Sequence, residues 1–202
     1  MSKEIYVEIA NGTRIKRGFY SPYLITDKEK NQAVLENPLV LVSDKKINTI
    51  EDISIPLKTA MTAKRPLLIV SDAEAAVVNT LNVNKARGIL QVNILTPEGV
   101  GLNRFELLED LAVMTGAVVV SDDTGNDWNG VTAEFLGEAK KSVSTNKETI
   151  LTLNLKKTAD AVNEQAKRVK SMLKSKEDAE NDWHYKDRLS RLSGGIAAIY
   201  VG

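Results

Sequence analysis

Three short apolar runs decide the fold class: Leu39-Val-Leu-Val42, Leu67-Leu-Ile-Val70 and Ile89-Leu-Gln-Val92. Runs of this length are typical of buried strands. Between them, apolar residues recur at helical spacing over 53–63 and again over 73–86. Strands that alternate with helices in this way predict an α/β fold.

The alternation continues toward the C-terminus. Residues 104–115 have helical spacing, and they precede two further predicted strands, Ala117-Val-Val-Val-Ser121 and Ile150-Leu-Thr-Leu-Asn-Leu155. Residues 158–193 are highly charged, contain no Gly or Pro, and place their apolar residues on a helical stripe. This pattern predicts a helical hairpin with one solvated face, whose turn lies within 174–182.

Both ends of the chain are predicted to be strands. Glu4–Ile9 alternates polar and apolar residues, and Ile196–Val201 is apolar with a β-branched end. Gly12 follows the first of these strands, and Gly194 and Gly195 precede the second. Two interpretations stay open: a two-stranded neck with hinge freedom, cut from a longer chain, or two ordinary turns.

The composition excludes several classes of function. The chain has 202 residues, with 27 basic against 27 acidic side chains, no Cys, and a single histidine, His184. These counts exclude disulfide frameworks, thiolate zinc sites, cysteine nucleophiles and multi-histidine metal sites. Because the net charge is zero and no apolar segment approaches ~20 residues, we expect no nucleic-acid or membrane partner. A soluble, cytoplasmic location is the default expectation, since the N-terminus lacks the apolar region of a signal peptide.

Two patterns suggest a small nucleotide- or metal-dependent α/β enzyme as the alternative function. Gly99-Val-Gly101 is placed like a dinucleotide loop, but Arg104 stands where the fingerprint needs a third glycine. Asp122 and Asp123 are paired carboxylates, which can bind a metal or transfer protons. A flexible turn and a solvated turn are the favoured interpretations of these two patterns.

The charged hairpin carries further polar candidates with ordinary explanations. For His184 we expect a surface histidine. The basic clusters Lys167–Lys170 and Lys174–Lys176 have acidic residues on either side. We interpret them as a solvated helix face rather than a nucleic-acid patch.

The segment Arg17-Gly-Phe-Tyr-Ser-Pro-Tyr-Leu-Ile25 concentrates aromatic residues. Three of the ten aromatic side chains in the protein lie within five positions here. Composition favours a loop that tucks its aromatics into the core. The alternative is an exposed loop that offers apolar groups to a partner.

The same segment carries a family resemblance. Residues 17–24 resemble the RGYLSPYF element of bacterial group I chaperonins. Leu108-Glu-Asp-Leu-Ala-Val-Met-Thr-Gly116 is similar to that family's LQDIATLTGG, and Leu136-Gly-Glu-Ala-Lys-Lys141 to its DLGQAKR. Further similar segments follow the family's order, at 44–47, 65–70, 87–89 and 188–202. The resemblance covers nearly the whole chain and indicates a divergent relative.

The resemblance implies one part of the family's subunit, the apical domain. It implies a β-sandwich or mixed sheet flanked by helices, with a C-terminal helical hairpin. Residues 1–12 would form a hinge strand, 13–193 the polypeptide-binding domain and 194–202 the return hinge strand. The ATP- and magnesium-binding domain would lie outside this chain, so we expect no cofactor and no enzyme activity in these residues. Gly12, Gly194 and Gly195 would be the hinge.

The resemblance also implies partners and a binding site. Family members capture non-native polypeptides, and the mobile loop of the co-chaperonin lid, in a groove between two helices. The full-length protein would form a homo-oligomeric ring, and this part of it alone a monomer. By position, the aromatic loop supplies Phe19, Tyr20, Ser21, Tyr23 and Leu24, the first groove helix Ser54 and Leu57, and the second Val78, Asn82, Val83 and Asn84.

Two of these positions depart from the family pattern. Ser54 and Asn82 stand where the family has apolar residues. Each lost apolar anchor costs about 1.5–3 kcal/mol of burial, so capture of apolar segments would be weaker or would shift to more polar ones. Alternatively, Ser54 caps the first groove helix, since Pro56 suits a first helical turn. The sequence leaves both interpretations open.

Overall fold

The structure, a computed structural model, describes residues 12–174 and 182–201, with side chains up to residue 194. The described residues form two sheets and five helices, which confirms the predicted α/β class. The predicted strand at Glu4–Ile9 and most of the predicted hairpin turn lie outside the described residues.

The strands are β1 (Gly12–Ile15), β2 (Ala33–Glu36), β3 (Leu39–Val42), β4 (Leu67–Val70), β5 (Val92–Leu95), β6 (Gly137–Glu138), β7 (Lys141–Ser144) and β8 (Thr149–Thr152). The helices are α1 (Ser54–Ala63), α2 (Ala75–Ala86), α3 (Gly101–Thr115), α4 (Leu155–Lys174) and α5 (Asp182–Val201).

The central sheet is mixed and has the strand order β5-β4-β3-β6. Strands β3, β4 and β5 are parallel, and the short β6 runs antiparallel to β3 at the edge. Every residue of the three parallel strands is buried. Their continuous apolar runs reflect helices that cover both faces of the sheet.

The two faces of the mixed sheet pack against different helices. Because side chains alternate along a strand, Leu41 and Ile69 face one core together with residues of α1 and α2. Val40 and Leu68 face the opposite core, which contains residues of α3, α4 and α5. The sheet therefore carries two distinct helical layers.

The second sheet is antiparallel, with the order β1-β8-β7-β2. Its buried residues Ile15, Leu35 and Leu151 join the core on the α3 side. Helices α4 and α5 pack along each other and against α3, which confirms the two helices of the predicted hairpin. Among the described residues, no helix is both long and apolar enough to cross a membrane.

Three predicted strands differ from the observed ones. The strand predicted at 89–92 begins at Val92, because Ile89 still donates its N–H to the Asn84 carbonyl of the helix end. Residues 117–121 form only an isolated bridge from Val120 to Ser43, since β6 occupies the other half of that edge. The strand predicted at 150–155 ends at Thr152, and α4 begins at Leu155.

The strand predicted at Ile196–Val201, within the return hinge strand 194–202, is wrong. Helix α5 continues through these residues to Val201. Two alanines, the strongest helix formers, lie inside this segment, and no proline interrupts it. The β-branched residues that suggested a strand are tolerated in a helix at a cost of only tenths of a kcal/mol, about 0.7 at most.

Candidate functional site

The aromatic segment forms a 3-10 turn at Pro22–Leu24. Ser21 caps it by accepting the N–H of Tyr23 at 3.3 Å, and Pro22 suits the first position of such a turn. Leu24 is fully buried, whereas Tyr20 and Tyr23 are 50% and 75% exposed. The prediction that this loop tucks its aromatics into the core is therefore wrong for both tyrosines.

The chain leading into the turn is fixed by close backbone contact. A Cβ on Gly18 would lie 2.0 Å from the carbonyl oxygen of Thr145, so only glycine fits there. Phe19, which is half-buried, donates its N–H to the same carbonyl at 2.9 Å. The Thr149 hydroxyl donates to the Arg17 carbonyl at 2.8 Å. The backbone that precedes the two tyrosines is therefore held in place by these contacts.

Helix α2 holds the aromatic turn through two polar side chains. The Asn82 amide donates to Ser21 Oγ at 3.3 Å, and Lys85 Nζ donates to the Ile25 carbonyl at 3.0 Å. Asn82 Oδ1 is buried and has no hydrogen-bond partner. Asn82, which the resemblance assigns to the second groove helix, contacts the aromatic turn.

The other predicted residues of α2 have different environments. Val78 is only 3% exposed and belongs to the core beneath the helix. Val83 is 47% exposed, and Asn84 is half-buried. Of these three, Val83 alone offers apolar surface to a partner.

Helix α1 is preceded by a 3-10 turn at Ile50–Ile53. The Asp52 carboxylate accepts a hydrogen bond from the N–H of Thr49 at 3.1 Å. Backbone N–H groups at the start of a helical turn have no partner within the turn, and this contact supplies one. Ser54 is the first residue of α1 and forms no side-chain cap, so the interpretation of Ser54 as the N-cap is wrong. Leu57 is half-buried against the core below α1.

Sequence reasoning missed three exposed apolar residues of this region. Ile55, Met61 and Ile89 are 43%, 45% and 52% exposed. A cleft of about 360 Å³ lies between the C-terminal ends of α1 and α2, and both Met61 and Ile89 line it. A helical projection of 53–63 contains the signal, because Ile55 and Met61 fall off the stripe formed by Ile53 and Ala60.

These elements form one surface, which we call the α1–α2 layer (residues 19–25, 54–64 and 75–89). Helices α1 and α2 cover the same face of the mixed sheet, and the aromatic turn packs against α2. Within the described residues, eleven large apolar side chains are exposed, and six of them belong to this layer. The six are Tyr20, Tyr23, Ile55, Met61, Val83 and Ile89.

The patterns behind the enzyme alternative lie elsewhere. Gly99 and Gly101 both have positive φ and lead into the N-terminus of α3. Asp122 is an exposed residue of a short 3-10 turn, and it pairs with Lys45 at 2.8 Å. Burial raises the pKa of the nearby Asp44, against the opposing charge of Arg104. In the part of the chain that the structure describes, no group of three or more His, Cys, Asp or Glu side chains is placed to hold a metal ion.

The opposite side of the sheet contains a buried charge cluster, and His184 belongs to it. Arg188, only 2% exposed, donates to both oxygens of the fully buried Asp110, at 2.7 and 2.8 Å, and pairs with Glu106. Gln165 of α4 donates to Asp110 at 2.9 Å. His184 is 5% exposed, so its expected surface position is wrong.

The electrostatics of this cluster follow from burial. Burial lowers the pKa of His184, although Glu106 Oε1 lies 3.9 Å from Nε2 and opposes that change. Burial alone would lower the pKa of Arg188, but the hydrogen bonds to Asp110 and the negative charges of Asp110, Glu106 and Glu109 together outweigh burial and raise that pKa. In contrast, Lys167 and Lys170 are exposed, as predicted for a solvated helix face.

Two of the predicted hinge glycines meet in space. Gly12 begins β1, and a Cβ on Gly194 of α5 would lie 3.3 Å from the Gly12 carbonyl oxygen. Gly195 is the next residue of α5. Strand β1 and helix α5 therefore bring these two points of the chain together.

The α1–α2 layer offers two phenol rings and four aliphatic side chains to solvent. Such a surface gains free energy by burying apolar groups of a partner. In a comparison with models of known protein families, this chain matches none.

Proposed function

We propose that this chain is a polypeptide-binding module, the apical domain of a divergent group I chaperonin. The observation that carries the proposal is the concentration of exposed apolar side chains in the α1–α2 layer. The resemblance of residues 17–24 to the chaperonin aromatic element supports it, because those residues form part of this layer.

Binding would come from apolar burial. A non-native segment that covers Tyr23 and Val83 would remove from water side chains that are 75% and 47% exposed. Burying a large apolar side chain contributes about 1.5–3 kcal/mol, so one module binds weakly. Copies of the module in a ring would raise the avidity without any new contact. The co-chaperonin mobile loop would compete for the same layer.

The test measures binding of a fluorescent, permanently unfolded polypeptide, reduced and carboxymethylated α-lactalbumin, by anisotropy. Tyr23→Glu and Val83→Glu should each weaken binding by roughly tenfold or more, since each places a charge in the contact. Val118→Glu is the matched control, because Val118 is 43% exposed but lies outside the layer. If the three variants weaken binding equally, or if the wild-type chain does not bind, the proposal fails.

A further inference from the structure

The α1–α2 layer has an unusual distribution of charge. Between residues 53 and 71, and again between 75 and 97, every charged side chain is basic. These stretches contain both helices of the layer and the cleft between their C-terminal ends. The chain as a whole balances 27 basic against 27 acidic residues, so the bias is local. The basic residues are Lys58, Lys64, Arg65, Lys85 and Arg87.

Three of these cations are available to a partner. Arg65 pairs with Glu138 at 3.1 Å, and Lys85 donates to a backbone carbonyl of the aromatic turn. Lys58, Lys64 and Arg87 are exposed, and no carboxylate of residues 12–174 or 182–194 lies within ion-pair distance of them.

The free cations alternate with the exposed apolar side chains. Residues three or four positions apart are neighbours on a helix surface. Lys58 is therefore adjacent to both Ile55 and Met61 on α1, and Lys64, which follows the end of the helix, lines the same cleft as Met61. On the second helix, Val83 and Arg87 are four positions apart. The cleft between the helix ends is lined by Met61, Lys64 and Ile89, which repeats the pairing of apolar and basic groups.

We propose that the α1–α2 layer selects polypeptide segments in which apolar side chains alternate with Asp or Glu. The apolar side chains of the ligand would cover Met61 and Val83, and its carboxylates would pair with Lys58, Lys64 and Arg87. The cations at the helix ends also complement the helix dipoles, but Lys58 lies in the middle of α1, where the dipole has no such effect. This inference rests on the proposed function and names its ligand class.

The test uses three labelled peptides of equal length with identical Leu and Val positions. The positions between them carry Asp, Asn or Lys. We expect the Asp peptide to bind roughly tenfold more tightly than the Asn peptide at about 0.05 M salt, and the Lys peptide to bind weakest. The advantage of the Asp peptide should shrink at about 0.5 M salt, because exposed charges are then screened.

A matched pair of variants locates the effect. Replacing Lys58, Lys64 and Arg87 together by Gln should abolish the preference for the Asp peptide and leave affinity for the Asn peptide within about twofold. The control replaces Lys140, Lys156 and Lys170 by Gln, which removes equal charge from exposed positions outside the layer and should leave the preference intact.

The outcomes separate the two proposals. Equal binding of the Asp and Asn peptides to the wild-type chain overturns the charge inference but leaves the polypeptide-binding proposal standing. Equal loss of preference in both triple variants shows that net charge alone attracts the peptide, which also overturns the inference. If none of the three peptides binds, the proposed function fails and the inference fails with it.

Discussion

The two helical layers on the mixed sheet differ in where they place polar groups. The α1–α2 layer exposes large apolar side chains, and hydrogen bonds of Asn82 and Lys85 help to hold its aromatic turn against α2. The opposite layer, α3–α5, buries an ionic cluster around Asp110 and Arg188. One layer thus leaves apolar surface open to a partner, while the other uses buried charge to fix how its helices meet.

This difference indicates that the residues available for contact with a partner are not the residues that determine the stability of the fold. Exposed apolar side chains contribute little to folding, because they remain in water in the folded state. A buried charge pair, in contrast, makes the folded state sensitive to the loss of either partner. Substitutions in the α3–α5 layer should therefore change stability, and those in the α1–α2 layer should change binding.

The largest expected effect is on stability. Arg188→Met leaves Asp110 buried without its cation, and losing one partner of such a pair costs about 3–5 kcal/mol. Urea denaturation followed by circular dichroism measures the change. The double substitution Arg188→Met with Asp110→Leu should recover only part of the loss, because it removes the stranded Asp110 charge but leaves Glu106 without its cation. A loss below 1 kcal/mol for the single variant would mean that the cluster is solvated. The claim that buried charge in the α3–α5 layer determines stability would then be wrong.

A smaller effect is expected at the contact between α2 and the aromatic turn. Asn82→Ala removes the hydrogen bond to Ser21, so the turn is held less firmly and a ligand must order it on binding. We expect roughly threefold weaker binding of the unfolded probe, with stability nearly unchanged, because the substitution also removes the unpaired Oδ1. Asn79→Ala, an exposed position on the same helix, is the control. Equal affinities of the two variants would show that Asn82 does not position the turn.

The smallest expected effect is a pH dependence. Burial lowers the pKa of His184 from its ordinary value of 6.5, Glu106 opposes that change, and the positive charges of Arg188 and Arg191 add to it. Below pH 6.5 the unfolded chain takes up a proton that the folded protein resists, so stability falls as the pH drops through that value. We expect the free energy of unfolding to fall between pH values of about 7.5 and 5.5, measured by denaturation at each pH.

His184→Phe is the control for the pH dependence, since it cannot take up the proton. The slope of stability against pH over this window should be flatter in the variant. An identical slope in the two proteins would show that His184 does not cause the pH dependence.

The sequence predicted the parallel strands well because their apolar runs are uninterrupted. Leu39–Val42 and Leu67–Val70 are observed at the predicted bounds. The segment 117–121 is also rich in β-branched residues, but among the described residues it forms a strand bridge only at Val120, and strand formation depends on partners that composition does not reveal. Residues Ile196–Val201 include β-branched side chains that favour strands, but they form the last part of helix α5.

The candidate site was predictable only in part. The aromatic turn was identified from its composition and resemblance, but exposure of Tyr20 and Tyr23 depends on Thr145 and Asn82, which fix the turn from distant parts of the chain. Val78 was expected in the site but lies in the core. Which residues of a helix are buried depends on how the helix packs against its neighbours, and the sequence of the helix does not show this. His184 was misplaced because burial of a lone histidine depends on tertiary neighbours.

The most direct test of polypeptide binding by the α1–α2 layer is an amide chemical-shift titration of the folded chain with the Asp peptide. Perturbed amides should cluster in residues 19–25, 54–64 and 75–89, while α4 and the described part of α5 remain unchanged. Perturbations centred on residues 99–126 or on α4 and α5, or no perturbation at saturating peptide, would contradict it.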